Sequence, residues 1–203
     1  MFRILATWIG AVALSLAALP ALATQDAWPA LFDVRDVTAD DVLNIRAGPS
    51  VRFPVIGTLR PDRADVEVIA PNDRETWGRI NTGEGVGWVS LRYLARQPGQ
   101  WQGAFPEISS CFGTEPFWTL SLTGDDAHLA TPDSEAAGTV SARLGSAARR
   151  DRHGLIATLG GTTLTGVIAT RSCSDGMSDR AFGLAFDAVM GDEVLSGCCT
   201  LTP

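Results

Sequence analysis

The stretch DDVLNIRAGPSVRFPVIGTL, residues 40–59, alternates apolar and polar side chains and then turns sharply. Leu43 and Ile45 are apolar, whereas Asn44 and Arg46 are polar. Because successive side chains of a strand point to opposite faces, the first pair is expected to face a core and the second to face outward. A Gly-Pro-Ser turn and a second apolar run follow, which predicts two short strands joined by a turn.

Comparable short stretches recur along the chain and are separated by Gly, Pro and Asn/Asp turns, a pattern typical of all-β proteins. The predicted strands are Val42–Arg46, Val55–Leu59, Val66–Ala70, Trp77–Ile80, Val86–Ser90, Phe117–Thr123, Ala127–Thr131, Leu155–Leu159, Thr162–Thr170, Phe182–Val189 and Val194–Gly197. Gly160 and Gly161 predict a two-residue hairpin turn, since both can adopt positive φ. The fold class is therefore all-β, with a small barrel followed by a second antiparallel β-barrel or sandwich.

Several motifs of the first half follow one another in a fixed order. They are Leu43-Asn44-Ile45-Arg46-x-Gly48-Pro49-Ser50, Val55-Ile56-Gly57, Trp77-Gly78-Arg79-Ile80, Gly87-Trp88-Val89 and Tyr93-Leu94. Together they resemble the bacterial SH3 (SH3b) family over about residues 34–96. The resemblance implies a small barrel whose shallow groove binds peptidoglycan stem or bridge peptides, or proline-containing peptides. It also implies a groove wall formed by Asn44, Arg46, Trp77 and Tyr93.

The two tryptophans of this half have two interpretations each, as core residues or as groove residues. A domain this small needs large apolar side chains to bury enough area, which favours a core position for Trp88. For Trp77 the two interpretations stay open. The turn over residues 60–64 lacks the glycine usual in the family, so its geometry is expected to differ.

The second half carries CFGTEPFW, residues 111–118, and CSDGMSDRAFGLAFDAVMGDEVLSGCC, residues 173–199. Over about residues 108–201 these motifs resemble a family of uncharacterised bacterial envelope domains, which implies an extracytoplasmic β-barrel. Glu115, Phe117 and Trp118, with Asp175, are the candidate ligand-facing residues there. The alternative interpretation buries the two aromatic side chains in the barrel.

The segment CSDGMSDR, residues 173–180, combines residue types found in catalytic turns, metal loops and stapled hairpins. A calcium loop needs oxygen ligands at alternating positions, and Met177 stands where the second ligand belongs. A nucleophile at Ser174 or Ser178 would need a base such as His128 or His153, and no G-x-S-x-G motif is present. We therefore expect an Asp-Gly turn whose carboxylates accept backbone hydrogen bonds.

All four cysteines, Cys111, Cys173, Cys198 and Cys199, lie in the second half, which argues for two disulfides in a secreted chain. A bond between the adjacent pair would be strained, so two pairings remain from the residues alone. The resemblance to the envelope family implies Cys173–Cys198 and Cys111–Cys199. The histidines are isolated and no C-x-x-C occurs, so neither a metal site nor a cofactor is expected.

Residues 1–23 have a short positive start, an apolar run and an A-x-A motif, which predicts a secretory signal peptide cleaved near Ala23. The expected location is periplasmic or secreted, with no stable membrane insertion after cleavage. The chain has a net charge of −7 and its basic residues are all arginines. An acidic chain without basic clusters repels phosphate backbones, so nucleic acid is not an expected partner.

These observations predict four segments: the signal peptide at 1–23, an SH3-like domain at 34–96, a linker at 97–107 and a disulfide-bonded β domain at 108–203. The favoured function is a secreted cell-envelope binding protein with peptidoglycan or an envelope peptide or protein as partner. A small wall hydrolase targeted by the SH3-like domain, and an inhibitor or chaperone of another envelope protein, are the alternatives. The absence of a nucleophile–base or metal signature favours a protein that is not an enzyme.

Overall fold

A computed structural model describes residues 25–202 of the 203-residue chain. The expected signal peptide lies outside the described residues. No helix within this part of the chain is long and apolar enough to cross a membrane.

The described part of the first half, residues 25–96, contains eight strands and one 3-10 turn, Leu91–Tyr93. The strands are β1 Ala30–Val34, β2 Leu43–Arg46, β3 Val55–Leu59, β4 Val66–Val68, β5 Ala70–Pro71, β6 Trp77–Thr82, β7 Gly85–Ser90 and β8 Leu94–Arg96. They form two antiparallel sheets, in the orders β4-β1-β8 and β3-β2-β7-β6-β5. As the alternation predicts, Leu43 and Ile45 are buried, at 5% and 4% exposure, in the core between the two sheets.

The second half is a closed antiparallel barrel of eight strands. They are β9 Ser110–Thr114, β10 Phe117–Thr123, β11 Asp126–Ala130, β12 Glu135–Gly145, β13 Arg152–Leu159, β14 Thr162–Cys173, β15 Phe182–Met190 and β16 Glu193–Thr200. Neighbours in sequence pair as hairpins, and β9 closes the barrel by pairing with both β10 and β16. The all-β fold class is confirmed.

The hairpin between β13 and β14 forms at the two glycines named above. Gly160 and Gly161 have φ angles of +54° and +86°, and Leu159 and Thr162 face each other across the turn. These positive φ angles are the conformation that a two-residue hairpin turn requires.

Large apolar side chains fill the interior of the barrel. Strand β10 alternates strictly: Leu120 and Leu122 are buried, whereas Ser121 between them and the threonines on either side are exposed. The inward side chains of the other strands pack against this face, and Phe186 and Ile168 are fully buried among them. Because the interior is a packed core, a ligand of this half has to bind outside the barrel or at one of its ends.

Both disulfides hold the last strand of the barrel. Cys199 lies opposite Cys111 in the pairing of β16 with β9, and the two are bonded. Cys198 is bonded to Cys173 at the end of β14. Within residues 25–202 no cysteine is free. These are the two pairs that the envelope-family resemblance implies.

Among the described residues, the contacts between the two halves include three sets. Leu31 of β1 packs into the barrel core, although its neighbours along the strand belong to the core of the first half. Asn81 exchanges two hydrogen bonds with the backbone of Ala181, at 2.9 and 3.0 Å. The buried carboxylate of Glu67 accepts hydrogen bonds from the hydroxyl of Thr200 and the N–H of Leu201. Apolar and polar contacts therefore join the halves directly.

Candidate functional site

The four residues expected to form the SH3-like groove line one cavity of about 390 Å³. Asn44 and Arg46 project from β2 on the face opposite to its buried side chains. Trp77 begins β6, and Tyr93 ends the 3-10 turn that follows β7. All four side chains are half-buried, so each presents part of its surface to solvent.

Arg46 fixes one wall of this groove. One terminal nitrogen of its guanidinium group donates to the carbonyl of Val51 at 3.1 Å and to that of Phe53 at 2.9 Å. These bonds hold the loop between β2 and β3, whose Val51 is 73% exposed and lines the groove. Charge-assisted hydrogen bonds of this kind are stronger than neutral ones, so the loop is ordered before a ligand arrives.

The opposite wall is ordered by a side-chain cap at Asn72. Its Oδ1 accepts hydrogen bonds from the N–H groups of Thr76 and Trp77, both at 2.9 Å. Glu75, within the same turn, has a φ of +52°. The cap fixes the backbone from which the indole of Trp77 projects, because asparagine side chains stabilise turns by bonding to nearby backbone N–H groups.

A second cavity, of about 720 Å³, continues the groove on the other side of Trp77. Trp77 and Val51 line both cavities, and the second one is completed by Pro49, Trp88 and Arg74, among others. The combined surface carries two indoles, one phenol and two prolines. Side chains of this kind supply large contact areas to peptide ligands at a small entropic cost.

The expectation of a core position for Trp88 is wrong. Trp88 is half-exposed and lies between Arg46 of β2 and Arg79 of β6, on the outward face of the sheet. Its neighbour Val89 fills the core position instead, at 0% exposure. Side chains alternate between the two faces of β7, and Gly87 and Val89 occupy the inward positions. Trp88, which lies between them, therefore points outward.

The candidate residues of the second half separate into two groups. Glu115, Phe117 and Asp175 line one surface groove of about 610 Å³, together with Met177. Phe117 and Met177 are 52% and 68% exposed. The segment after β14 folds over the outside of the barrel, where Thr114 donates a hydrogen bond to the carbonyl of Asp175 at 2.9 Å.

Trp118 does not belong to this rim. It is 3% exposed and lies in the barrel core, tilted against Phe186 at a ring-centroid distance of 6.0 Å. Gly113 on the neighbouring strand leaves room for the indole, since a Cβ there would lie 2.2 Å from Nε1 of Trp118. The ligand-facing assignment of Trp118 is therefore replaced by the core interpretation, and Phe117 remains at the surface.

The CSDGMSDR segment is a turn organised by Asp175. Its carboxylate accepts hydrogen bonds from the N–H groups of Met177 and Ser178, both at 3.0 Å, and from the Ser178 hydroxyl at 2.8 Å. Burial acts to raise the pKa of Asp175, but the bonds from Ser178 and Met177 outweigh it and lower the pKa. Ser178 is thus engaged by a carboxylate that stabilises the turn.

The histidines lie elsewhere in the barrel. His128 is on β11, where its Nε2 is 3.5 Å from a carboxylate oxygen of Glu135. His153 is on β13 and is 5% exposed. Within residues 25–202 no group of three or more His, Cys, Asp or Glu side chains could hold a metal ion.

Comparison with known proteins supports part of the first half. No curated protein and no solved structure matches the chain. The resemblance of residues 108–201 to an envelope family therefore stays a prediction. Residues 41–95, within which most of the groove lies, match the family described as bacterial SH3 domain.

Proposed function

We propose that this protein is an extracytoplasmic binding protein of the cell envelope whose SH3-like half, residues 34–96, binds the peptide part of peptidoglycan. The observation that carries the proposal is the convergence of Asn44, Arg46, Trp77 and Tyr93 on one groove. The match of residues 41–95 to the bacterial SH3 domain supports it, because such domains commonly bind cell-wall components. The division at 97–107 between an SH3-like and a barrel domain is part of the proposal.

The groove chemistry suits a short peptide with charged groups and small side chains. The indoles of Trp77 and Trp88 and the phenol of Tyr93 provide apolar faces, and Asn44 offers an amide to a peptide backbone. Arg46 contributes a positive charge to one wall of the groove, and Asp36 and Asp41 contribute negative charges to its lining. A stem peptide carries carboxylates, amines and methyl groups, which these side chains complement.

The cysteines support a location outside the cytoplasm. All four are paired, and disulfides persist in oxidising compartments such as the periplasm and the extracellular medium. The expected signal peptide agrees with this location.

The barrel half, residues 108–203, serves in this proposal as a second binding module or as a structural support. Its packed interior excludes a ligand from the barrel lumen. The groove lined by Glu115, Phe117 and Asp175 is the surface on which it would contact a partner.

Co-sedimentation of the whole protein with purified peptidoglycan sacculi tests the proposed function. Trp77→Ala should weaken binding about tenfold or more, as expected for an aromatic residue at the centre of a contact. Trp101→Ala is the matched control, because this tryptophan is 47% exposed and lies outside the groove. Equal sedimentation of wild type and Trp77→Ala, or loss of binding only in Trp101→Ala, would show that the groove is not the wall-binding site.

A further inference from the structure

A cavity of about 450 Å³ lies where the first half, the segment 97–107 and one end of the barrel meet. Its walls include the aromatic rings of Trp28, Trp101 and Phe105, and the leucines Leu184 and Leu201 contribute apolar surface. Cavities of this size with mainly apolar walls are typical small-molecule sites. Of the residues considered from the sequence, only His153, weighed there as a base for a serine nucleophile, lines it.

Packing holds two of the aromatic walls in place. The indole of Trp28 stacks on Phe32 at a centroid distance of 5.6 Å, and the guanidinium carbon of Arg96 lies 4.3 Å from the Trp28 ring centroid. Phe105 contacts the imidazole of His153 edge to face, at 5.6 Å. The cavity is therefore formed in the absence of a ligand.

His153 contributes an unused polar group to this cavity. It is 5% exposed, and its Nδ1 is buried without a hydrogen-bond partner among residues 25–202. Burial lowers the pKa of His153, although the charge of Asp151 acts in the opposite direction, so the imidazole is neutral near pH 7. With the ring proton on Nδ1, this buried nitrogen is a donor without an acceptor, and an anionic oxygen of a ligand supplies one.

The charged side chains that line the cavity are Arg150, Asp151 and Glu107. Residues 149–152 read Arg-Arg-Asp-Arg. The carboxylate of Asp151 is held by Arg149 at 2.8 Å and by Arg152 at 2.7 Å. Arg150 lines the cavity and forms no ion pair with any residue in the range 25–202. Its charge is thus available to a ligand.

We propose that this cavity binds a small aromatic carboxylate. The ring occupies the space between Trp28, Trp101 and Phe105, and the carboxylate pairs with Arg150. The imidazole of His153 provides a hydrogen bond to the same ligand. Apolar walls select a flat ring, whereas the unpaired arginine and the neutral histidine select an anionic acceptor group over a neutral one.

Isothermal titration calorimetry of the whole protein with 2-naphthoate and with its neutral analogue 2-naphthamide tests this site. We expect saturable binding of one 2-naphthoate per chain and at least about threefold weaker binding of the amide. Arg150→Gln should weaken 2-naphthoate binding about three- to fivefold and leave the amide unaffected. Trp101→Ala should weaken both compounds about tenfold.

Two controls separate this cavity from the SH3-like groove and from a general charge effect. Trp77→Ala removes an indole from the groove, and Arg52→Gln removes an exposed arginine that does not line the cavity. Both should bind 2-naphthoate as the wild type does. Absence of saturable binding, equal affinity for the acid and the amide, or a loss of binding confined to Trp77→Ala would each overturn the proposal. Arg150 and Trp101 are exposed, so their variants should fold.

Discussion

The carboxylate of Glu67 lies where the first half meets the barrel. It is 8% exposed, and one of its oxygens, Oε1, is buried without a hydrogen-bond partner among residues 25–202. Burial raises the pKa of Glu67, and the bonds from Thr200 and Leu201 offset part of this effect. The folded protein therefore binds a proton at Glu67 more tightly than the unfolded chain does.

We expect the stability of the protein to fall as pH rises through the raised pKa of Glu67. Its contribution is fully present below the ordinary value of 4.5 and is lost as the folded-state carboxyl ionises. Glu67→Gln keeps an acceptor for Thr200 and Leu201 without a charge, so it should flatten this pH dependence and be about 1 kcal/mol more stable at pH 8. Urea unfolding between pH 4 and pH 8 measures both effects.

The control for this prediction is Glu84→Gln, which removes a carboxylate from an exposed turn. It should leave the pH dependence unchanged. Glu67→Leu should lose about 1–3 kcal/mol at every pH, because the N–H of Leu201 is left buried and unpaired. Identical pH dependences for wild type and Glu67→Gln would show that Glu67 ionises in the folded protein as it does in water.

The alternation of inward and outward side chains along a strand was the sequence signal that best predicted the burial of single residues. It placed Asn44 and Arg46 outward correctly. The same rule, applied to FWTLSLT, residues 117–123, places Trp118 inward with the leucines of β10. The sequence analysis instead assigned Trp118 to a ligand-facing surface, because it considered the aromatic motif as a binding site. The rule also places His153 inward with Leu155, Ala157 and Leu159 of β13. Glu67 could not be found in this way, because its burial depends on the other half packing against it.

Among the elements, the two disulfides contribute differently to the barrel. Cys111–Cys199 spans 88 residues and joins the first strand of the barrel to the last. Cys173–Cys198 spans 25 residues and ties the turn after β14 to the same last strand. Constraint of the unfolded chain grows with the length of the closed loop.

We therefore expect Cys111→Ala/Cys199→Ala to lose more stability than Cys173→Ala/Cys198→Ala. Loop-closure entropy gives about 4–5 kcal/mol for the first pair and about 3–4 kcal/mol for the second. Urea unfolding without reductant measures the losses, and fragmentation of unreduced peptides checks the remaining bond in each variant. A greater loss in the Cys173/Cys198 variant would contradict this ranking.

Strands with β-branched or alternating sequences were predictable, and those without them were not. The apolar runs of β3, β10 and β14 were found close to their observed bounds. Strand β12, Glu135–Gly145, was missed because its alanines and glycines carry little β-propensity and only Val140 is buried. Strand β1 was missed because it precedes the recognisable motifs and joins the sheet through distant partners, β4 and β8.

For the whole molecule, the sequence predicted two β modules but not how they meet. The contacts of Leu31, Glu67 and Asn81 with the barrel half join residues that are far apart in sequence. No local pattern encodes such contacts. The cavity lined by Trp28, Trp101 and Phe105, here called the junction cavity, arises from the same packing. The sequence of segment 97–107 does not show this packing, so the segment was predicted to be a simple linker.

The central claim is that the SH3-like groove binds the peptide of peptidoglycan, and the tryptophan indoles report on it directly. Residues 25–202 contain five tryptophans: Trp28, Trp77, Trp88, Trp101 and Trp118. Two line the groove, two line the junction cavity and one is in the barrel core. Each indole N–H gives its own signal in a ¹H–¹⁵N spectrum, so one titration compares all three locations.

The measurement is this titration of the ¹⁵N-labelled protein with a synthetic peptidoglycan stem pentapeptide, with each signal assigned by a Trp→Phe variant. The account predicts saturable shifts of the Trp77 and Trp88 indole signals, while those of Trp28, Trp101 and Trp118 stay in place. Shifts confined to Trp28 and Trp101, or no shift at any concentration of the peptide, would contradict it.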